Sequence, residues 1–399
     1  MRTKVANLNS SEDIGFGVDV SGDSVIGGVE LHPPPERLTD ALYVPALDGL
    51  RFIAFSLVFL HHLPRTIAGF AAVARVGWAG VEIFFALSSF LLFYLLSAEQ
   101  KRRGEIDIPK FYWRRLLRVY PLMVLFPVLM LALFTRWEPK YYTDVTSNIF
   151  GIENFVVWIR GYSTLPYSPH LWSLSYELQM YVVIPLAFLI YRAVGRRLFF
   201  CVLIGIWIAS VGARATFLFA APEARGIIWV TPFLRPESTL VGVALALVVS
   251  DPRAKISKGL VTTILVGAAA ALFLGPDISA GGAWLLVLYP ISATIAGTLL
   301  WLTLHTEILG AILSHRTPRY LGKISYGLYV YHLLAIYLVL DGFRMLGIQH
   351  SPENFAYYVC WLVLALALTI VMAAVSYRFV ESPFLRWKSH FELVKSRPI

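Results

Sequence analysis

Ten apolar stretches follow residue 45, more than the core of one soluble domain can absorb. They run over 46–64, 77–97, 119–136, 171–191, 198–213, 232–250, 258–275, 282–304, 324–340 and 355–377. Each is close to the roughly 20 residues that cross the hydrocarbon layer of a bilayer, and the shorter ones also suit re-entrant segments. Composition points the same way: 57% of the 399 residues are hydrophobic and only 15% are charged, against about 25% charged in ordinary soluble domains. The chain also exceeds the roughly 250–300 residues at which a single aqueous core stops growing. The pattern therefore predicts an all-α polytopic membrane protein with about ten transmembrane helices. Collagen-like, disordered and disulfide-scaffold classes are excluded. Cys201 and Cys360 both lie in apolar runs and form no metal pattern.

Loop charges set the expected orientation. The formal charge is +9, but the basic residues sit in short loops between apolar runs, which argues against a nucleic-acid partner. With the N-terminus in the cytosol, Arg65, Arg75, Arg136, Lys140, Arg160, Arg214, Arg225, Arg235 and Arg344 fall outside. The remainder of the 34 Lys and Arg fall inside, the asymmetry that the positive-inside rule requires. Ten crossings return the C-terminus to the cytosol. Residues 1–44 are polar, with Pro33-Pro34-Pro35 and no apolar leader core, and are expected to be a disordered cytosolic tail. Residues 45–385 are the expected membrane domain, and 386–399 a basic cytosolic tail. The location expected is the cytoplasmic, or inner, membrane.

Polar groups at membrane depth are costly and usually functional. Arg51 and His62 are eleven residues apart, three turns plus about 20°, and so share one face of the first span roughly 16 Å apart. His61 points away from that face and fits an interfacial role; Arg51 alone would also suit a snorkelling anchor. Glu82 opens the second span and is equally well read as an interfacial carboxylate. In the most basic loop, Arg115 and Arg118 lie at helical i,i+3 spacing, able to converge on one anion. Glu177 and Tyr181 form an i,i+4 pair in the fourth span, with Ser173 just above. Glu177 lies about 10 Å below the start of that helix, a depth close to that of His62. An imidazole and a carboxylate at one level suit a base and the group that orients it; a structural ion pair is the competing reading. His332, in the ninth span, fits a helix-packing hydrogen bond or a direct role.

In order along the chain, these patterns resemble the acyltransferase-3 family of integral membrane acyltransferases. The resemblance covers residues 45 to about 385. Arg51 and His62 match its Arg-x10-His pattern, Arg115 and Arg118 its Arg-x-x-Arg, and Glu177 and Tyr181 its Glu-x-x-x-Tyr. The Gly-Val-Asp-x-Phe-Phe segment has Glu82 for aspartate, and Leu87-Ser88-Ser89 has serine where the family has glycine. Ser325-Tyr326 through His332 and Glu381-Ser382-Pro383-Phe384 also fit. A C-terminal esterase-like domain, carried by some members, is not expected here.

The resemblance implies transfer of an acyl group, commonly acetyl, from a cytosolic acyl-CoA such as acetyl-CoA to an acceptor hydroxyl. The expected acceptor is a cell-surface or lipid-linked carbohydrate. Arg51, Arg115 and Arg118 are then expected at the donor's phosphates. His62 is expected as base, oriented by Glu177, with Tyr181 at the thioester oxygen or the acceptor. Direct transfer and a transient acyl-His62 both remain open. No metal is expected. Two alternatives stand: a proton-coupled transporter or flippase of a glycolipid or organic anion, and an O-acyltransferase for a small metabolite such as a macrolide.

Overall fold

A computed structural model describes residues 43–135, 138–220, 225–251, 255–388 and 391. The expectations for residues 1–42 of the N-terminal tail and for Arg136, Lys395 and Arg397 lie outside these residues. Among the described residues every element is helical. In chain order they are α1 Pro45–His61, α2 Ala68–Val76, α3 Ala79–Arg103, α4 Ile108–Phe134, α5 Pro139–Phe150 and α6 Glu153–Arg160. Next come α7 Trp172–Ala220, α8 Arg225–Val230, α9 Glu237–Val249, α10 Lys258–Leu274 and α11 Trp284–His305. The last are α12 Glu307–Ser314, α13 Arg316–Lys323, α14 Ser325–Met345, α15 Phe355–Ser376 and α16 Ser382–Lys388.

All ten apolar stretches fall on helices, and six elements are long and apolar enough to cross a membrane. The stretches 171–191 and 198–213 share one continuous element, α7, broken at Gly195, whose φ of 77° ends one helical run and begins another. The runs 46–64, 232–250 and 258–275 are covered by α1, α9 and α10 of 17, 13 and 17 residues, shorter than a typical spanning helix. The chain is a multi-pass helical membrane protein.

Burial separates centre from periphery. The most apolar window of α3 is 72% buried, whereas those of α7 and of the α15–α16 run are 22% and 28% buried. Val182, Val183, Leu186 and Ile190 of α7 are exposed, an apolar face of the kind that a lipid bilayer covers. Around α3 pack α1, α7, α9 and α11. Backbones approach closely where small residues permit, as membrane helices require. A Cβ on Gly242 of α9 would lie 2.3 Å from the Ala86 carbonyl oxygen and 2.1 Å from Ser89 Oγ. Gly242 thus lets α9 approach α3 closely beside Ser89. Gly322 of α13 does the same against α1, where a Cβ would lie 1.6 Å from the Asp48 carbonyl oxygen.

Among the described residues, two ion pairs have both side chains no more than 3% exposed. Arg235 and Glu82 are paired, each 1% exposed or less at the side chain, and Ser238 Oγ donates to the second Glu82 oxygen at 2.5 Å. Arg214 pairs with Glu237 at 2.5 Å and donates to the Leu234 carbonyl at 2.7 Å. Arg214 and Arg235 were expected outside the membrane among the loop cations, and the structure buries both. Each has a carboxylate close enough to offset its desolvation, and Arg235 is further surrounded by aromatic rings. The expected C-terminal tail begins inside the fold: α16 runs through Lys388 and packs on α4.

Candidate active site

Among the described residues, two neighbouring cavities share part of their lining, one rich in arginines and one in histidines. Arg51, Ser88, Arg115, Arg118, Ser173, Glu177, Tyr181 and Tyr326 contribute to the first, of about 90 Å³. Its polar end is built from the i,i+4 pair on α7: Tyr181 donates to Glu177 Oε1 at 2.7 Å, and Ser88 Oγ of α3 donates to the same oxygen at 3.1 Å. Arg115 and Arg118 line this cavity and also an adjoining vestibule of about 60 Å³, together with Tyr43, Asp48, Arg51 and Lys388. Arg51 is paired with Asp48 at 2.5 Å. The Nε of Arg115 is buried and has no hydrogen-bond partner among the described residues. A buried donor without an acceptor is costly, so this position suits an anionic ligand. The convergence of Arg115 and Arg118 follows from their i,i+3 spacing. Lys388 was counted only as tail charge in the sequence; its place in the vestibule depends on how α16 folds back.

The second cavity, of about 580 Å³, is lined by His61, His62, Arg65, His170, Asp277 and an aromatic wall of Trp78, Tyr162, Trp172, Trp229 and Tyr289. Arg235 stands among these rings, its guanidinium carbon 4.6 Å from the Trp229 centroid, 5.0 Å from Tyr289 and 5.4 Å from Trp172. Cation–π attraction in a desolvated setting is worth about 2 kcal/mol or more, so the buried Glu82–Arg235 pair braces the wall from within the protein. Arg65 and Asp277, 2.6 Å apart, tie the 275–283 loop to the end of α1. Burial alone would raise the Asp277 carboxyl. Hydrogen bonds from the Ser279 hydroxyl and amide, together with Arg65, hold it below the usual carboxylate range instead.

Val81 and Tyr329 line both cavities and form the partition between them. Tyr329 is held there by Ser173, 2.6 Å from its hydroxyl, and by donation to the His170 carbonyl at 3.1 Å. Ser173 is thereby occupied in fixing the partition.

The structure brings Arg51, Arg115, Arg118, Glu177 and Tyr181 together. It does not bring Glu177 to His62. Among the described residues, the His62 ring bonds to the Val58 carbonyl at 2.9 Å and to His332 at 3.2 Å, while Glu177 bonds Ser88 and Tyr181 across the partition. Equal depth along two helices fixes one coordinate of three, and the two side chains face different cavities. Glu82, with Arg235 and Ser238, lines neither cavity. His332 is fully buried in α14, beside His62. His170, missed in the sequence, completes this cluster, its ring centroid 4.7 Å from that of His332. Its only signal was a polar ring in Pro169-His170, directly before the apolar run of α7.

The helical bundle thus holds a cationic pocket and a histidine pocket on either side of one partition. A family model described as an acyltransferase domain matches residues 44–374, and the chain belongs to this acyltransferase-3 family. It is similar to the O-acetyltransferase OatA of Staphylococcus aureus strains NCTC 8325 and COL, each 29% identical over 372 residues, which cover 87% of this chain and 58% of the relative. The chain thus spans less than two thirds of the length of these relatives. No solved structure matches.

Proposed function

We propose that this acyltransferase is an O-acetyltransferase of the cytoplasmic membrane, with ten crossings and both termini in the cytosol. In this reading residues 45–385 form the transferase domain between the tails 1–44 and 386–399, and the arginine cavity opens toward the cytosol. The observation that carries the reading is the pair of cavities sharing one partition, cations on one side and imidazoles on the other. Acetyl-CoA, or another acyl-CoA, is the donor. Its phosphates suit Arg118, Arg51 and Lys388 at the vestibule through charge-assisted hydrogen bonds, and Arg115 extends this set inward. The cavity beyond, lined by Ser88, Glu177 and Tyr181, is then the place for the flexible arm that ends in the thioester.

The acceptor is a cell-surface or lipid-linked carbohydrate in the second cavity. Flat aromatic faces beside a few polar groups fit the mixed surface of a sugar ring. His62 takes the proton of the acceptor hydroxyl as its oxygen attacks the thioester carbon. The C–S bond then breaks, and the departing thiolate regains a proton from the imidazolium. The two substrates meet when Tyr329 moves aside, or acetyl passes through His62 as a carrier. Glu177 takes a different role from the one its depth suggested: it gathers the Tyr181 and Ser88 hydroxyls and sets a negative charge opposite the arginines. Tyr181, held by Glu177, shapes the end of the donor channel. That the relatives are O-acetyltransferases supports acetyl as the group moved.

Arg115→Ala and Arg118→Ala test the donor site. Each is expected to weaken acetyl-CoA binding about tenfold or more, since a hydrogen bond to a charged group contributes about 1.5–3 kcal/mol. Titration calorimetry of the purified protein measures this. Unchanged affinity in both variants would remove the arginines from the donor site.

A further inference from the structure

We infer that His332 is a positioning residue that holds His62 in the tautomer of a base. The inference rests on the reading of His62 as the group that accepts the proton. His332 is fully buried and lines neither cavity among the described residues, so any part it plays passes through its neighbours.

Two backbone carbonyls settle where the ring protons sit. A carbonyl oxygen only accepts, so the ring nitrogen facing it carries hydrogen. His332 Nδ1 lies 2.5 Å from the Tyr329 carbonyl oxygen and therefore donates to it. In the neutral ring the Nε2 of His332 is then an acceptor. His62 Nδ1 lies 2.9 Å from the Val58 carbonyl oxygen and 3.2 Å from that same His332 Nε2. Both are acceptors, so His62 Nδ1 carries hydrogen and shares it between them. The Val58 oxygen is open to this because α1 ends here: the His62 amide turns to the Phe59 carbonyl instead. The nitrogen left with a lone pair is His62 Nε2, and His62 lines the histidine cavity.

This is the arrangement a base requires, with one ring nitrogen anchored and the other open. When Nε2 gains a proton, the positive ring donates more strongly from Nδ1, and His332 Nε2 is the side-chain acceptor waiting there. Other titratable rings in the cluster are His61, whose centroid is 5.3 Å from His62, and His170, 4.7 Å from His332. Neighbouring imidazolium charges repel, so a proton on His62 favours a neutral His332, the form in which His332 serves as acceptor. The orienting role that the sequence suggested for Glu177 thus falls to an imidazole 270 positions from its partner.

Three substitutions separate this from simple packing. His332→Gln keeps an acceptor oxygen near the place of Nε2 and is expected to hold kcat within about fivefold of the parent. His332→Asn keeps a polar group beside the Tyr329 carbonyl but is too short to reach His62, and His332→Phe fills the space without an acceptor. Both are expected to lose about 10–100-fold in kcat with KM within about twofold, less than the roughly 10²–10⁴ that a base itself contributes. Acetyl transfer is measured per folded protein, quantified by size-exclusion chromatography and thermal unfolding. Parent kcat in His332→Asn and His332→Phe would overturn the inference, as would a His332→Gln protein as impaired as the other two. Losses that follow folded yield, or KM and kcat together, would mark a packing role and overturn it too. An active His62→Ala protein would instead sink the base reading, a result separable from all of these.

Discussion

Replacing His62 with alanine is expected to reduce acetyl transfer by about 10²–10⁴-fold, the range that a positioned general base contributes, with membrane insertion unchanged. The loss should lie in kcat. His62 is half-buried at the end of α1, where its removal leaves the helix and the Glu82–Arg235 pair intact, and the cavity it lines is wide enough to tolerate a shorter side chain. Acetyl-CoA binding should remain near the parent value, because the arginines lie across the partition. Transfer assays with inserted protein quantified by immunoblot, alongside donor titrations, make the check. Full activity in His62→Ala would end its assignment as base.

The second large effect concerns stability. Glu82→Leu or Arg235→Met alone is expected to cost about 3–5 kcal/mol, because either leaves a buried charge without its partner. The double replacement should cost less than either single one, since it removes both charges together and leaves only the Ser238 hydroxyl and the Trp229 carbonyl to find other partners. Arg235 also stands against Trp172, Trp229 and Tyr289, so its loss should loosen the aromatic wall and raise the acceptor KM in protein that still folds. Thermal unfolding of the three variants in lipid nanodiscs reads the first effect directly. Single variants as stable as the double would mean that the pair is not desolvated as described.

How much of this was legible in the sequence depends on the distance over which each feature is written. Apolar runs write helices locally, and all ten stretches fall on helices. Arg115 with Arg118, and Glu177 with Tyr181, were legible as pairs because helix geometry places i,i+3 and i,i+4 neighbours side by side. Glu82 gave no sign of its partner, since Arg235 lies 153 positions away and enters only through the packing of α3 on α9. For the same reason Arg235 looked like a loop cation. The depth of Glu177 was inferred from helical rise, but rise leaves rotation and neighbour choice open, and those decide which cavity a side chain faces. His332 was visible as a polar group in an apolar run. Its bond to His62 became visible only when α1 and α14 were brought into contact. The break at Gly195 was marked only by a basic loop, Arg192 to Arg197.

The central claim, that acetyl crosses one partition from an arginine-lined donor cavity to a histidine-lined acceptor cavity, is tested most directly in sealed proteoliposomes of known orientation. Radiolabelled acetyl-CoA is supplied only on the face carrying the vestibule of Arg51, Arg118 and Lys388, and a carbohydrate acceptor only on the opposite face. The account predicts free coenzyme A on the donor face and labelled ester on the acceptor face, in equal amounts and dependent on His62. Ester formed only when both substrates share one face, or acceptor carried across unaltered with no coenzyme A released, would contradict it.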